Sequence, residues 1–203
     1  MIEDSIYEKH YRDYLVQISR LDLSALAHPL GIEVQKDEAI ISFFKQPHIV
    51  SAKGVIGPSG KKPIYAVSVI LFKYLLLCPD REPNERDWTS YRDFKNAAPL
   101  ENNFMNTVER PIAREFAGRL HELQKAAKCF SGRSPDIELS YDVSVCFDVL
   151  PKIPCLLLFN DKDDEFPAQC SVLFEKRADK FLDMECLAIL GMLLSEYLRK
   201  IQQ

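Results

Sequence analysis

The densest chemistry in the sequence lies in residues 160–168, NDKDDEFPA. Asp161, Asp163, Asp164 and Glu165 place four carboxylates within five residues, relieved only by Lys162. Carboxylate oxygens suit hard cations such as Ca²⁺ or Mg²⁺, so these four are the candidate metal ligands. The spacing is not that of an EF-hand, because no glycine stands at the turn and no Glu closes the loop. The plainer reading is a solvated acidic loop, since a buried unpaired carboxylate is very costly. Glu165 beside Phe166 has a further chemistry open to it. Folded inward, its pKa would rise and it would serve as a general acid or base. Residues 87–94, DWTSYRDF, form the second cluster and hold the single tryptophan. Trp88, Tyr91 and Phe94 recur every third residue and would stack on a flat ligand such as a tetrapyrrole or a base. Arg92 among them would pair with a ligand carboxylate, or with Asp87 or Asp93 on the surface. The plainer reading of the aromatics is core. Trp88, Tyr91, Arg92, Phe94, Glu165 and Phe166 are thus the candidate ligand-binding residues.

Other motifs fail on spacing. GVIGPSGKKP, residues 54–63, imitates a phosphate loop, but five residues separate Gly54 from Gly60 and Lys62 stands where a hydroxyl is needed. His121-Glu122 is not a zinc motif, because Lys125 takes the place of the second His. His10, His28, His48 and His121 are scattered and are read as surface or partly buried imidazoles. No G-x-S-x-G elbow is present, and no catalytic residue is assigned. The six cysteines, Cys78, Cys129, Cys146, Cys155, Cys170 and Cys186, lack C-x-x-C spacing and mostly sit in apolar sequence, which predicts reduced core thiols. Cys170, next to the acidic loop, should have a raised pKa.

The elements that position these residues follow from hydrophobic periodicity. Residues 6–18 read as an amphipathic helix with Tyr7, Tyr11, Tyr14, Leu15 and Ile18 on one face. A short helix over 22–28 should stop at Pro29 and Gly31. Strands follow at 32–35, 39–45 and 47–52, then a buried helix over 64–77 ended by Pro79. Residues 80–87 form a polar connector. The stripe Phe104, Val108, Ile112, Phe116, Leu120 and Leu123 predicts helix over 100–129, with a break or kink just before Pro111. Strands are predicted at 137–140, 143–149 and 153–159, and the chain turns apolar again at 170–174. The run IPCLLLF at 153–159 is apolar on both faces, so that strand should be covered on both sides. The last helix begins after an Asp183 cap. Glu185 suits its positive end, and Arg199 and Lys200 its negative end. Leu187, Leu190, Gly191, Leu194, Leu198 and Ile201 form its core face.

The order of elements repeats. Residues 11–77 run helix, short helix, GIEV, AIISFF, HIVSA, loop, helix; residues 112–198 run helix, 125–130, DIEL, VSVCFD, PCLLLF, loop, helix. The fold class expected is α+β: two related helix–strand–strand–strand–helix halves, about 1–80 and 100–203, joined by an 80–100 connector in one compact domain. A cleft between the halves, near residues 88–94 and 161–165, is then the default ligand site.

A chain of 203 residues, 47% hydrophobic and 28% charged, suffices for a substantial core. Net charge of −4 argues against a nucleic-acid binder driven by bulk charge. Residues 1–14 are charged, without the apolar core of a signal peptide, and no apolar run approaches the roughly 18–20 residues of a membrane span. A cytoplasmic protein with no membrane partner is expected.

Trp88 and Phe94, then Leu150, Pro151 and Pro154, the DEFPA run from Asp164 to Ala168, Leu173, Phe174 and Glu185 together resemble domain-of-unknown-function family 3786, found in bacteria and archaea. The resemblance covers roughly residues 65–201, and the first 60 or so fit only by order of elements. The family's activity is uncharacterised. Some members carry an N-terminal four-cysteine iron–sulfur module like that of corrinoid iron–sulfur proteins, which implies anaerobic metallocofactor metabolism. This chain has no cysteine before Cys78, so a cluster-binding role does not transfer. The functional expectation is a non-enzymatic small-ligand or cofactor-binding accessory protein, with the cofactor unassigned. The alternatives are an enzyme using Asp163, Asp164 and Glu165 with a divalent ion, and a homodimeric protein-interaction module.

Overall fold

The computed structural model describes the backbone of residues 2–200 and the side chains of residues 6–200. The fold is α+β, with two four-stranded antiparallel sheets and helices packed on one continuous core. Helix α1 (Ile2–Ile18) buries Tyr11 and Ile18, while Tyr7 stays half exposed and meets Tyr65 at 4.9 Å between ring centroids. Helix α2 (Leu23–Leu30) is capped by Asp22, whose carboxylate accepts from the Ser24 and Ala25 N–H groups. The helix runs through Pro29, contrary to expectation, and ends at Gly31 in the left-handed conformation that favours glycine.

The first sheet is a meander, β1 (Glu33–Gln35), β2 (Glu38–Phe43), β3 (Gln46–Ser51) and β4 (Gly54–Ile56). Strand β4 occupies the start of the glycine-rich stretch read as loop. Its following turn spends backbone groups on itself, with Gly57 N–H donating to Lys61 O and Gly60 N–H to Gly57 O, so it offers no phosphate cradle. Phe44 and Lys45 both have positive φ, as a two-residue hairpin of primed type requires. Phe44 tolerates this because it joins the two sheets. Its N–H donates to Val149 O at 2.9 Å and its ring packs on Tyr197 and Phe130. The junction is therefore filled by aromatics.

The second sheet has the order β5-β8-β7-β6, from β5 (Trp88–Ser90), β6 (Val143–Leu150), β7 (Ile153–Asn160) and β8 (Gln169–Glu175). Strand β7 is interior to the sheet, and its run from Cys155 to Phe159 is buried on both faces, as its composition requires. The strand expected at 137–140 does not form. Ile137 is half exposed and no partner strand reaches it. DIEL is thus no counterpart of GIEV, and the second sheet takes two strands from outside the expected set, β5 from the connector and β8 from the apolar stretch after the acidic loop. The internal duplication is not confirmed.

Helix α3 (Tyr65–Leu76) is buried over most of its surface. Its Tyr74 hydroxyl donates to Leu30 O at 2.7 Å and accepts from Lys152 N–H at 3.1 Å, tying α2 to the β6–β7 turn. The connector is anchored as well. Lys176 and Arg177 N–H groups reach Asp87 O and Glu85 O, and Glu82 pairs with Lys152 at 2.8 Å. Residues 101–116 form one irregular helix: α4 (Glu101–Phe104), a π-helical stretch (Met105–Glu109) and α5 (Arg110–Phe116). Pro111 supplies the reason. It has no N–H for an α-helical bond and its ring crowds the preceding turn, and the wider π-turn just before it, closed by Arg110 N–H on Met105 O, takes up the misfit. Helix α6 (Leu120–Cys129) is separated from α5 by Gly118, so the predicted single stripe is two helices.

Helix α7 (Met184–Lys200) is capped by Asp183, which accepts from Cys186 N–H at 2.9 Å. Leu187, Leu190, Gly191, Leu194 and Leu198 are all buried; Ile201, expected on the same face, lies outside the described residues. Among the described residues no helix is long and apolar enough to cross a membrane.

Candidate functional site

Trp88–Ser90 pairs with the far end of β8, Trp88 opposite Glu175 and Ser90 opposite Leu173, while the acidic loop leads into β8 at Gln169. Trp88 stands six strand steps, roughly 20 Å, from Gln169 and Ser90 four, and the pocket lined by Ser90, Tyr91 and Arg92 shares no residue with the depression lined by Asp161, Asp163 and Phe166. The two clusters do not form the shared cleft expected from sequence.

The acidic loop folds on its own backbone. Asp163 accepts from the Glu165 and Phe166 N–H groups at 2.8 and 2.6 Å, and Asp161 accepts from Gly118 N–H at 2.6 Å. Asp163, Asp164 and Glu165 are exposed, and Phe166 is 59% exposed, so Glu165 is not folded inward against it. Asp161, Asp163 and Phe166 border an open depression of about 530 Å³; Asp164 and Glu165 lie outside its lining. Among the described residues, no three His, Cys, Asp or Glu side chains gather as a metal site.

The aromatic cluster divides. After β5 the chain makes a single 3₁₀ turn (Tyr91–Asp93), and Ser90 Oγ hydrogen-bonds Asp93. Tyr91 and Phe94 are buried, Trp88 is half-buried, and Arg92 is exposed with Asp93 3.9 Å from its Nε. Tyr91 stacks on Phe104 at 4.3 Å with the rings nearly parallel, and its hydroxyl donates to Met184 O at 2.8 Å. Burial, followed by the charges of Glu185 and Asp183, pushes its pKa up to about 12.

Tyr91 and Arg92 line a pocket of about 140 Å³ whose other walls include Glu101, Phe104, Met105, Glu109 and Ser171. Two of these, Met105 and Glu109, bound the π-turn. Such turns are frequent at functional sites, because the extra residue re-aims side chains out of helical register. Strand β5 ends at Ser90, which leaves the neighbouring edge of β8 open. Glu109 Oε1 fills the gap by accepting from Val172 N–H at 3.1 Å. Burial raises the Glu109 pKa, against the lowering effects of the Val172 N–H and Arg92. A partly desolvated carboxylate, a guanidinium and hydroxyls around one small volume can hold a compact polar molecule through charge-assisted hydrogen bonds.

The sequence reading thus found Tyr91 and Arg92 and missed Glu101, Glu109 and Ser171. The available signal was Glu109 itself, a carboxylate beside the apolar stripe and two residues before a proline in a helix.

The family model described as domain of unknown function (DUF3786) matches residues 22–197. The chain belongs to this family. The match begins at the cap of α2, so DUF3786 takes in the first sheet, which the sequence resemblance reached only through element order. No curated protein and no solved structure matches the chain. The residues that carried the resemblance are dispersed over the DUF3786 fold. Trp88 lies in β5, Pro154 in β7, the DEFPA run before β8, Leu173 and Phe174 in β8, and Glu185 in α7.

The remaining candidates are structural. All six cysteines are free thiols; Cys146, Cys155 and Cys186 are buried and Cys129 is exposed. Cys170 has a raised pKa, caused by burial and then by Glu109 and Cys155, not by the acidic loop. His48 is buried, contrary to expectation. Its Nδ1 donates to Gln46 O at 3.1 Å, and burial lowers its pKa although that bond works the other way.

Proposed function

We propose that this protein is a non-enzymatic small-ligand-binding protein and that the pocket between Tyr91 and Glu109 is its site. The observation that carries the reading is Glu109, held by one oxygen at the open edge of β8 while it lines a pocket with Arg92. A volume of about 140 Å³ is close to the roughly 150 Å³ cavity that accepts benzene, so the ligand has only a few heavy atoms. The polar walls call for a hydrogen-bond donor or cation toward Glu109 and an acceptor or anion toward Arg92, as in a small amino acid. A tetrapyrrole is far too large for this volume. An accessory role in anaerobic metallocofactor metabolism enters the proposal through the family resemblance alone. A second reading, a carboxylate enzyme, is favoured by the raised pKa of Glu109, which brings a general acid or base nearer to neutral pH.

The test is an amide NMR titration of the full chain with glycine, β-alanine, alanine and glycolate. Binding should perturb Tyr91, Met105 and Val172, and both Glu109→Gln and Arg92→Ala should weaken it about tenfold. Absence of binding by all four, or equal affinity in both variants, would overturn the assignment.

A further inference from the structure

A second pocket, of about 510 Å³, lies between α5 and the loop that follows β7. Its charged lining is Arg110, Arg114 and Lys162, and Ala113, Ala117 and Pro167 contribute apolar surface. No Asp or Glu lines it, although the chain carries a net charge of −4. None of the three cations forms an ion pair among the described residues; Arg110 donates to the neutral Asn106 side chain at 2.6 Å. Lys162 and Pro167 also border the depression lined by Asp142, Asp161 and Asp163, so Lys162 stands on the rim between the two hollows. Arg110 and Arg114 are one helical turn apart and so share a face. Lys162 is brought over by its neighbour Asp161, which accepts from Gly118 N–H at 2.6 Å and donates its own N–H to Asp142 at 2.7 Å. The Lys162 side chain lies over the end of α5, its Cε 3.4 Å from where a Cβ on Gly118 would stand.

We infer that this pocket binds an organic anion, a carboxylate or phosphate group on an apolar body. The two guanidinium groups and the ammonium are the donors such an anion needs. The alanines and Pro167 would cover the apolar part. The acidic loop then acts as a brace that presents Lys162. This site shares no lining residue with the Tyr91–Glu109 pocket, so either can fail alone.

The test is titration of the full chain with phenyl phosphate, phenylacetate and inorganic phosphate, followed by amide NMR. At least one aromatic anion should bind, more tightly than inorganic phosphate, and perturb Arg114, Ala117 and Lys162. Arg114→Glu and Lys162→Glu should each weaken it about tenfold or more, whereas Glu109→Gln should not. Both substituted positions are exposed, and unchanged thermal melting would verify folding. Preference for phenyl phosphate assigns a phosphoester, and preference for phenylacetate a carboxylate. No binding by either aromatic anion, inorganic phosphate binding as tightly, or affinity unchanged in Arg114→Glu would overturn the inference.

Discussion

Gly191→Ala sets two known effects against each other just behind Phe104, a wall of the candidate site. In a helix interior alanine is favoured over glycine by about 0.8–1.0 kcal/mol, so propensity alone predicts stabilisation. The structure predicts the reverse. A Cβ on Gly191 would stand 2.5 Å from Cε2 and 2.9 Å from Cζ of Phe104, and 3.3 Å from Val108. Phe104 cannot yield freely. It is 2% exposed, stacked on Tyr91 at 4.3 Å, with Phe174 at 6.2 Å. Overpacking of a well-filled core costs about 1–3 kcal/mol, and this contact, made against a ring and not a flexible tip, belongs near the upper end. The net expectation is destabilisation by about 1–2 kcal/mol, or a melting temperature lower by about 2–8 °C for a chain of this size. Urea denaturation of Gly191→Ala measures it, and Phe104→Leu in the same background should recover much of the loss. Stabilisation by Gly191→Ala would refute the close packing of α7 on α4 and the π-turn, and with it the rigidity of the pocket wall.

Three further outcomes are expected. Glu109 has a raised folded-state pKa, so its protonated form is favoured by folding; that stability is fully present below the unfolded carboxyl pKa and is lost as pH rises through the folded one. Stability against pH should therefore carry a component in the acid range that Glu109→Gln removes, read from urea midpoints of both proteins. Tyr74→Phe should cost about 1–3 kcal/mol by urea denaturation, because Leu30 O and Lys152 N–H lose their shared partner. The double change Asp164→Asn with Glu165→Gln should leave the urea midpoint unchanged, since both side chains are exposed; a large loss would mean that the loop is a structural network.

Where the sequence spoke clearly, one physical pattern had no rival. The doubly apolar run in β7, the Asp183 cap and the buried stripe of α7 each followed from periodicity or local hydrogen bonding. The candidate site was only half legible. Tyr91 and Arg92 drew notice by type, but the wall that completes the pocket comes from Glu109, whose orientation depends on a π-turn that no propensity specifies. The acidic loop carried two readings, and the exposure of Asp163, Asp164 and Glu165 fits the plainer one, a solvated loop. Carboxylate density resembles a metal site, yet Asp161 and Asp163 each spend Oδ1 on backbone N–H groups that only the folded chain presents. The DIEL segment matched GIEV in letters but has no strand beside it to pair with, and pairing decides whether such residues become a strand.

The most direct test of the Tyr91–Glu109 pocket as a ligand site is a carboxyl ¹³C NMR titration of Glu109, free and with glycine or β-alanine present. A midpoint above those of the exposed glutamates, falling when the amine-bearing compound is added, is the predicted result. A midpoint among the exposed glutamates, unmoved by any of the compounds, would contradict the account.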